Sequence, residues 1–337
     1  MINRLPLKVF GLVRIKLVIC LVKNHNDVGT YILILSLSQV FGNLTLWSYL
    51  PKLVNSPKKQ DLHFLKHLKP SLALFVPQVA TTIYLAVNKT MLWQLDTITA
   101  AGYYDYSDKL IKIVLAIVTS AGIVMLPHIA NLYAKKQMAA VKSYLYTSFD
   151  FVLSISIPLT FGIAAVATTL APWFFGKSFT SVNSLLIIEA PVIVLIGQSN
   201  VIGQQYLLPT KNMRTYTASV VIGAIVNIIL NIPLIILWGV KGAMFATLLS
   251  ELVVTTYQLI MVRHIFKFKK LFTNIRAYLV AGIIMCIVVF GLNIITRPSF
   301  INIALQILIG ITIYMGMLCV LQPTIFDHLK TLKQQSN

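Results

Sequence analysis

Acidic residues are scarce in this chain of 337 residues, which has 9 Asp and Glu against 28 Lys and Arg. Charged residues of both signs make up only 11% of the sequence, hydrophobic residues make up 57%, and the mean hydropathy is +0.82. This composition excludes an ordinary soluble domain and indicates an integral membrane protein. The net charge of +19 does not indicate a nucleic-acid-binding protein, because the basic residues fall in short loops between apolar segments.

The chain also has little of what enzyme chemistry needs. Its three cysteines, Cys20, Cys286 and Cys319, lie in apolar runs without the spacing of a disulfide framework or a zinc site. There is no nucleophile with a base partner, no glycine-rich phosphate loop before a lysine and no paired acidic motif. The longest outer loop, at about 96–108, is too short for a catalytic domain. We therefore expect no enzyme activity, no cofactor and no metal.

Apolar stretches of about 20 residues, long enough to cross a ~30 Å hydrocarbon core, predict an all-α protein with about ten transmembrane helices. They fall at about 5–22, 28–50, 70–95, 106–128, 144–168, 184–206, 214–238, 242–262, 277–296 and 301–322. The first stretch is the weakest, because Lys8, Arg14 and Lys16 interrupt it.

The loops that alternate between these spans carry unequal positive charge. Counted in the loops and at the ends of the adjoining stretches, 19 of the 28 Lys and Arg residues fall on one side and 5 on the other, and the remaining four lie further inside the stretches. The positive-inside rule then predicts a multi-pass protein of the cytoplasmic membrane with both termini in the cytoplasm.

A polar stripe runs down the third span. At 100° per residue, Gln78, Thr82, Lys89 and Asp96 lie within about 40° of one another. A cation inside the bilayer usually faces a helix-bundle interior or a water-filled cavity, which makes Lys89 a candidate cavity residue. The alternative is that its long side chain extends to the outer interface, ~10 Å away.

Other ionisable residues also fall within spans. Asp108 and Lys112 are four residues apart and favour a local salt bridge. Glu251 lies near the middle of its span, on one face with Thr247 and Gln258, so it is either a coupling site for a proton or cation, or a structural hydrogen-bonding group. Glu189, near the end of its span, is expected to reach the interface.

Several segments resemble Wzx-type polysaccharide flippases, of the multidrug/oligosaccharidyl-lipid/polysaccharide exporter superfamily. They are "HLKPSLALFVPQVATTIYLAVNKTMLWQL", "GYYDYSDKLIKIVLAIVTSAGIVMLPHIANLYAKK", "SIPLTFGIAAVATTLAPWFFGKSF" and "GQQYLLPTKNMRTYTASVVIGAIVNIILNIPLIILWGVKGAMFATLLSE". The resemblance implies transfer of a polyprenyl-diphosphate-linked oligosaccharide across the membrane by alternating access, for capsule, exopolysaccharide or another surface glycan. It also implies contact with membrane lipids and, in the same pathway, a glycan polymerase and glycosyltransferases as partners.

The resemblance further implies an organisation and a set of site residues. Such proteins have fourteen spans, and the ten found here correspond to the last ten: residues 1–66 to the end of a first lobe, 67–262 to a complete second lobe and 263–337 to two additional helices. The candidate cavity residues are Gln78, Thr82, Lys89, Lys112 and His128, and the coupling candidate is Glu251. In "MLPHIAN", His128 replaces an arginine that is frequent in the family, so its headgroup contact is expected to be weaker and dependent on pH.

Other functions fit the same sequence. Within the superfamily, they are a drug exporter and a flippase for the peptidoglycan lipid precursor. A membrane glycan polymerase is less consistent with the short outer loops, and a chain without the first four spans is also consistent with a nonfunctional remnant or a misplaced start.

The predicted orientation can be tested by labelling single cysteines in intact cells. Cysteines at Lys59 and Lys269 should be protected from an impermeant thiol reagent, because both lie in the basic loops, whereas a cysteine at Lys177 should react. The reverse pattern of labelling would overturn the topology.

Overall fold

The computed structural model describes residues 5–24, 27–47, 64–296 and 298–324, and within these ranges the chain forms helices and no strands. The prediction of an all-helical membrane protein is confirmed. Lys59, one of the proposed labelling positions, lies outside the described residues.

Twelve α-helices occur in the described ranges. They are α1 Leu5–Leu21, α2 Val28–Trp47, α3 Phe64–Leu95, α4 Ile98–Ala134, α5 Met138–Phe175, α6 Ser181–Glu189, α7 Val192–Ile202, α8 Met213–Trp238, α9 Val240–Val262, α10 Phe268–Leu271, α11 Ile275–Ile295 and α12 Phe300–Leu321.

The chain divides into two compact units. In the first, Met1–Leu68, α1 and α2 pack against each other. In the second, Lys69–Asn337, α5 is central: it contacts α4, α6, α7 and α11, and α12 packs on α11. The predicted division of this second part at residue 262 stays a prediction, as does the assignment of the segments to lobes.

Fewer helices have the length and hydropathy of a membrane span than the sequence predicts. In the described part of the chain there are seven, and α4 makes an eighth if its two segments, which meet at an angle of 41°, count as one span. Helices α1 and α3 are not among them, although both coincide with predicted spans. Helix α1 has only 17 residues and three cations, while α3 carries the polar stripe. Within the described residues, seven or eight of the ten predicted spans therefore meet this measure of length and hydropathy.

Helices α8 and α9 form a tightly packed antiparallel pair. The turn between them is at Gly239, whose φ of +56° favours glycine. One turn into α9, a Cβ atom at Gly242 would overlap the carbonyl group of Leu234. Glycine at this position therefore allows the two backbones to approach closely and places the polar face of α9 against α8.

The predicted span 184–206 consists of two helices rather than one. Helix α6 ends at Glu189, α7 begins at Val192, and Pro191 lies between them. Helix α7 then passes into a π-helical turn, Gly203–Leu207. Such turns have one extra residue per turn and occur frequently at functional sites, because they change the direction of the side chains that follow.

Candidate functional site

The second unit contains a polar cavity of about 240 Å³ between α3, α4, α7, α8 and α9. Amide and hydroxyl side chains make up much of its wall: Gln78 and Thr81 from α3, Ser199 and Asn200 from α7, Gln204 from the π-helical turn, and Gln258 from α9. The wall also contains two charged residue types, a lysine, Lys112, and a glutamate, Glu251. Three residues predicted for the site, Gln78, Lys112 and Glu251, are thus brought together.

Glu251 is fixed to α3 by a hydrogen bond. The hydroxyl group of Tyr84 donates to Oε1 of Glu251 at 2.9 Å, and the glutamate is only 7% exposed. Both side chains line the cavity. The carboxyl group therefore has a structural partner and also faces the space where a ligand or ion can enter, so neither predicted role is excluded.

A buried polar network lies next to this bond and connects α3, α4, α8 and α9. Nδ2 of Asn88 donates to the hydroxyl groups of Tyr104 at 2.7 Å and Thr247 at 3.2 Å. Oδ1 of Asn88 accepts from Asn231 at 2.6 Å, and Asn231 also donates to Asn227 at 2.9 Å. These hydrogen bonds between buried side chains join the four helices to one another.

Lys112 is at once a cavity residue and half of a salt bridge. Its ammonium group lies 2.6 Å from Oδ2 of Asp108, one turn earlier on α4, as the spacing predicted. The side chain of Asp108 is 7% exposed, whereas that of Lys112 is 42% exposed. The lysine can therefore contact a ligand while the buried carboxylate fixes its position.

Lys89 does not line this cavity. It forms an ion pair with Asp105 on α4, and Lys109 lies 2.5 Å from the other oxygen of the same carboxylate. The side chain of Lys89 is 40% exposed, so a contact with a substrate remains sterically possible and stays a prediction.

The remaining predicted residues also lie outside the cavity wall. The hydroxyl group of Thr82 is exposed and donates to the carbonyl oxygen of Gln78 at 2.9 Å. His128, also exposed, stacks on Tyr144 with ring centroids 4.4 Å apart. A role for either in binding stays a prediction. The expectation that Glu189 reaches the interface is wrong: it is 1% exposed, because α6 packs against α4, α5 and α9.

Sequence reasoning missed several functional groups of the site. Tyr84 and Asn88 occur in an apolar stretch of α3, and Gln204 occurs where a regular helix was expected. Tyr84 lies six residues after Gln78, which at 100° per residue is about 120° away around the helix, so the polar stripe predicted on this helix does not include it.

The amide and hydroxyl side chains in the wall of the cavity can donate and accept hydrogen bonds. In the described ranges there is no group of three His, Cys, Asp or Glu side chains that could hold a metal ion. Polar and ionisable groups inside a membrane protein usually face the interior of a helix bundle or a water-filled cavity, and the residues of this wall do so.

Comparison with known proteins identifies the family. The family model described as lipid II flippase MurJ matches residues 50–310. This range is well over half of the chain, and the chain belongs to this family.

Individual relatives carry several names. The chain is 26% identical over 233 residues to the probable low-salt glycan biosynthesis flippase Agl15 of Haloferax volcanii, covering 68% of this chain and 49% of the relative. It is 26% identical over 161 residues to the lipid II flippase MurJ of Bacillus subtilis, covering 47% and 29%. It is 22% identical over 192 residues to a putative O-antigen transporter of Shigella dysenteriae, covering 57% and 48%. These relatives are flippases or transporters and not enzymes, and the chain spans half of their length or less.

Solved structures show the same fold. A lipid II flippase MurJ in an inward closed conformation has a TM-score of 0.71 at 20% identity, covering 88% of this chain and 63% of that protein. An outward-facing multidrug resistance transporter of the MATE family has a TM-score of 0.51 at 16% identity, covering 74% and 63%. At these identities the likeness establishes the fold alone.

Proposed function

We propose that this chain acts in the flipping of a polyprenyl-diphosphate-linked oligosaccharide across the cytoplasmic membrane, in the assembly of a surface glycan of the capsule, exopolysaccharide or O-antigen type. The observation that carries the proposal is the amide-rich and hydroxyl-rich cavity within the membrane-spanning helices. The names of two relatives, a glycan biosynthesis flippase and an O-antigen transporter, support a glycan substrate.

The chemistry of the wall suits a sugar. Sugar hydroxyl groups both donate and accept hydrogen bonds, and the side-chain amides of Gln78, Asn200 and Gln204 can do the same. An apolar drug would displace water from these groups without replacing its hydrogen bonds, at a cost of about 1–3 kcal/mol for each group that it buries. We propose that the sugars occupy this cavity while the lipid tail remains in the bilayer.

The diphosphate requires positive charge. Lys112 supplies one cation to the cavity, and the buried carboxylate of Asp108 keeps it in place. We propose Lys89 and His128 as further headgroup contacts during the transport cycle. For Lys89, such a contact means that a phosphate replaces Asp105 as the partner of the ammonium group.

A second candidate substrate is the peptidoglycan lipid precursor. It is favoured by the family model and by the Bacillus subtilis relative, both of which are described as lipid II flippases. Both substrates present sugars and a polyprenyl diphosphate, so the same wall serves either. A glycan polymerase and glycosyltransferases of the same pathway are the proposed protein partners.

Binding to the cavity can be tested with matched glutamine substitutions. Gln78→Leu and Gln204→Leu should each weaken binding of a polyprenyl-diphosphate oligosaccharide to the purified chain by about tenfold, because each removes hydrogen bonds worth about 1 kcal/mol or more. Gln94→Leu is the control, since Gln94 is exposed on α3 and does not line the cavity. Equal binding by all three variants, measured by fluorescence quenching, would contradict the proposed site. Running the same titration with lipid II distinguishes the two substrates.

The role of Glu251 can be separated from that of its hydrogen bond. Glu251→Gln retains an oxygen that accepts from Tyr84 but removes the ionisable group, so transport should persist without dependence on an imposed proton or sodium gradient. Tyr84→Phe removes the bond but keeps the carboxyl group, so gradient dependence should persist. If Tyr84→Phe alone impairs transport, Glu251 has only the structural role.

The role of Lys89 can be separated from that of its ion pair. If Lys89 contacts the diphosphate, Lys89→Met should lower glycan export about tenfold, the equivalent of a charge-assisted hydrogen bond of about 1.5 kcal/mol. Asp105→Asn, which weakens the ion pair but keeps the ammonium group, should preserve export. Export and membrane abundance are measured together. Equal losses in both variants would assign the effect to the ion pair.

A further inference from the structure

A second cavity, of about 570 Å³, opens at one end of the second unit, away from the site described above. Its walls come from the first turns of α5, from α10 and the residues that follow it, and from Thr324 after the end of α12. Helix α11, which begins at Ile275, has 21 residues, just enough to cross a ~30 Å hydrocarbon core at 1.5 Å per residue. If α11 crosses the hydrocarbon core along its own length, the cavity that precedes Ile275 lies at the level of the lipid headgroups.

Hydrogen bonds of Asn274 connect two other residues that line this cavity, Asp150 and Thr324. Nδ2 of Asn274 donates to both carboxylate oxygens of Asp150, at 3.1 and 3.0 Å, and to Oγ1 of Thr324 at 2.7 Å. Asp150 is 8% exposed. Both carboxylate oxygens of Asp150 therefore accept hydrogen bonds from an amide within the protein. Asp150 repels an anion in the cavity less strongly than a carboxylate without these bonds would.

Two lysines line the cavity from different helices. Lys142 extends from α5 and Lys270 from α10. The salt bridges of the described residues involve neither of them. The ammonium group of Lys270 also lies 5.3 Å from the ring centroid of Tyr146, a cavity residue whose hydroxyl group accepts from the backbone N–H of Lys267 at 2.9 Å. The aromatic ring fixes the position of the cation without neutralising its charge.

Hydroxyl groups complete the wall. Ser143 and Thr147 lie on α5 beside Lys142, and Thr273 follows α10. Two lysines that form no salt bridge within the described ranges, placed among hydroxyl groups in a concave site of this size, are a typical environment for a phosphate group, which accepts several charge-assisted hydrogen bonds at once. The charge of the lining side chains, two lysines against Asp150, is positive.

We propose that this cavity binds a phosphate group at the membrane surface, held between Lys142 and Lys270. Two sources present that chemistry at this level: the headgroup of an anionic phospholipid and a soluble phosphate ester. The site is separate from the polar cavity between α3 and α9, so the proposal does not depend on what the chain transports. A bound phosphate would bridge α5 and α10 and stabilise their junction with α11.

The test uses the purified full chain in detergent, titrated with dihexanoyl phosphatidylglycerol, dihexanoyl phosphatidylcholine or glycerol 1-phosphate, with thermal unfolding as the readout. Phosphatidylglycerol should raise the melting temperature at concentrations at which phosphatidylcholine does not. Lys142→Gln combined with Lys270→Gln should weaken this effect about tenfold in ligand concentration, because it removes both charge-assisted contacts. Lys142→Arg with Lys270→Arg should retain it.

A matched control separates the site from general charge. Lys135→Gln with Lys269→Gln removes two exposed cations, from the turn before α5 and from α10, and neither residue lines the cavity. This control should respond like the original chain. A response to glycerol 1-phosphate at the same concentration supports the site with a soluble ester as its ligand, whereas a response to phosphatidylglycerol alone supports it with a lipid headgroup. Equal weakening in the control and the cavity variant, or equal responses to both lipids, would overturn the proposal.

Discussion

The hydrogen bonds between α3 and α9 are the interaction on which the described site depends. A bilayer supplies no water to unpaired polar groups, so the amides and hydroxyl groups inside the helical unit must find partners in other helices. Asn88 bonds to Tyr104, Thr247 and Asn231, and Tyr84 bonds to Glu251. These bonds hold the face of α3 that carries Tyr84 and Asn88 against α9.

One face of α9 serves two purposes along its length. Thr247 belongs to the buried network, and Glu251 both bonds to α3 and lines the cavity. Gln258, two turns further along α9, also lines the cavity. The close approach of α8 through Gly242 makes this arrangement possible, because it leaves Asn227 and Asn231 within reach of α9 and α3. The same polar face of α9 thus forms hydrogen bonds with α3 and also lines the cavity.

The sequence predicted the parts of the site that depend on local periodicity. The positions of the helices, the spacing of Asp108 and Lys112, and the inward face of Glu251 all follow from composition and a period of 3.6 residues. It did not predict what depends on tertiary contacts: the pairing of Lys89 with Asp105 on the next helix, the burial of Glu189, or the π-helical turn that carries Gln204. Lys89 shows why, since a stripe of polar residues on one helix predicts a polar environment but not whether a neighbouring carboxylate or a cavity provides it.

The bond between Tyr84 and Glu251 also suggests how coupling and helix movement can be linked under the proposed function. An ionised carboxylate accepts a stronger hydrogen bond from a tyrosine hydroxyl group than a neutral carboxyl group does. A proton or cation that binds Glu251 from the cavity therefore weakens the attachment of α9 to α3, while the network around Asn88 keeps the helices together. A ligand shifts a conformational equilibrium only if it binds one conformation more tightly than the other. The bond between Tyr84 and Glu251 provides such a difference if it is present in one conformation and absent in the other. We propose that occupation of Glu251 changes in this way the relative stability of two packings of α3, as alternating access would require.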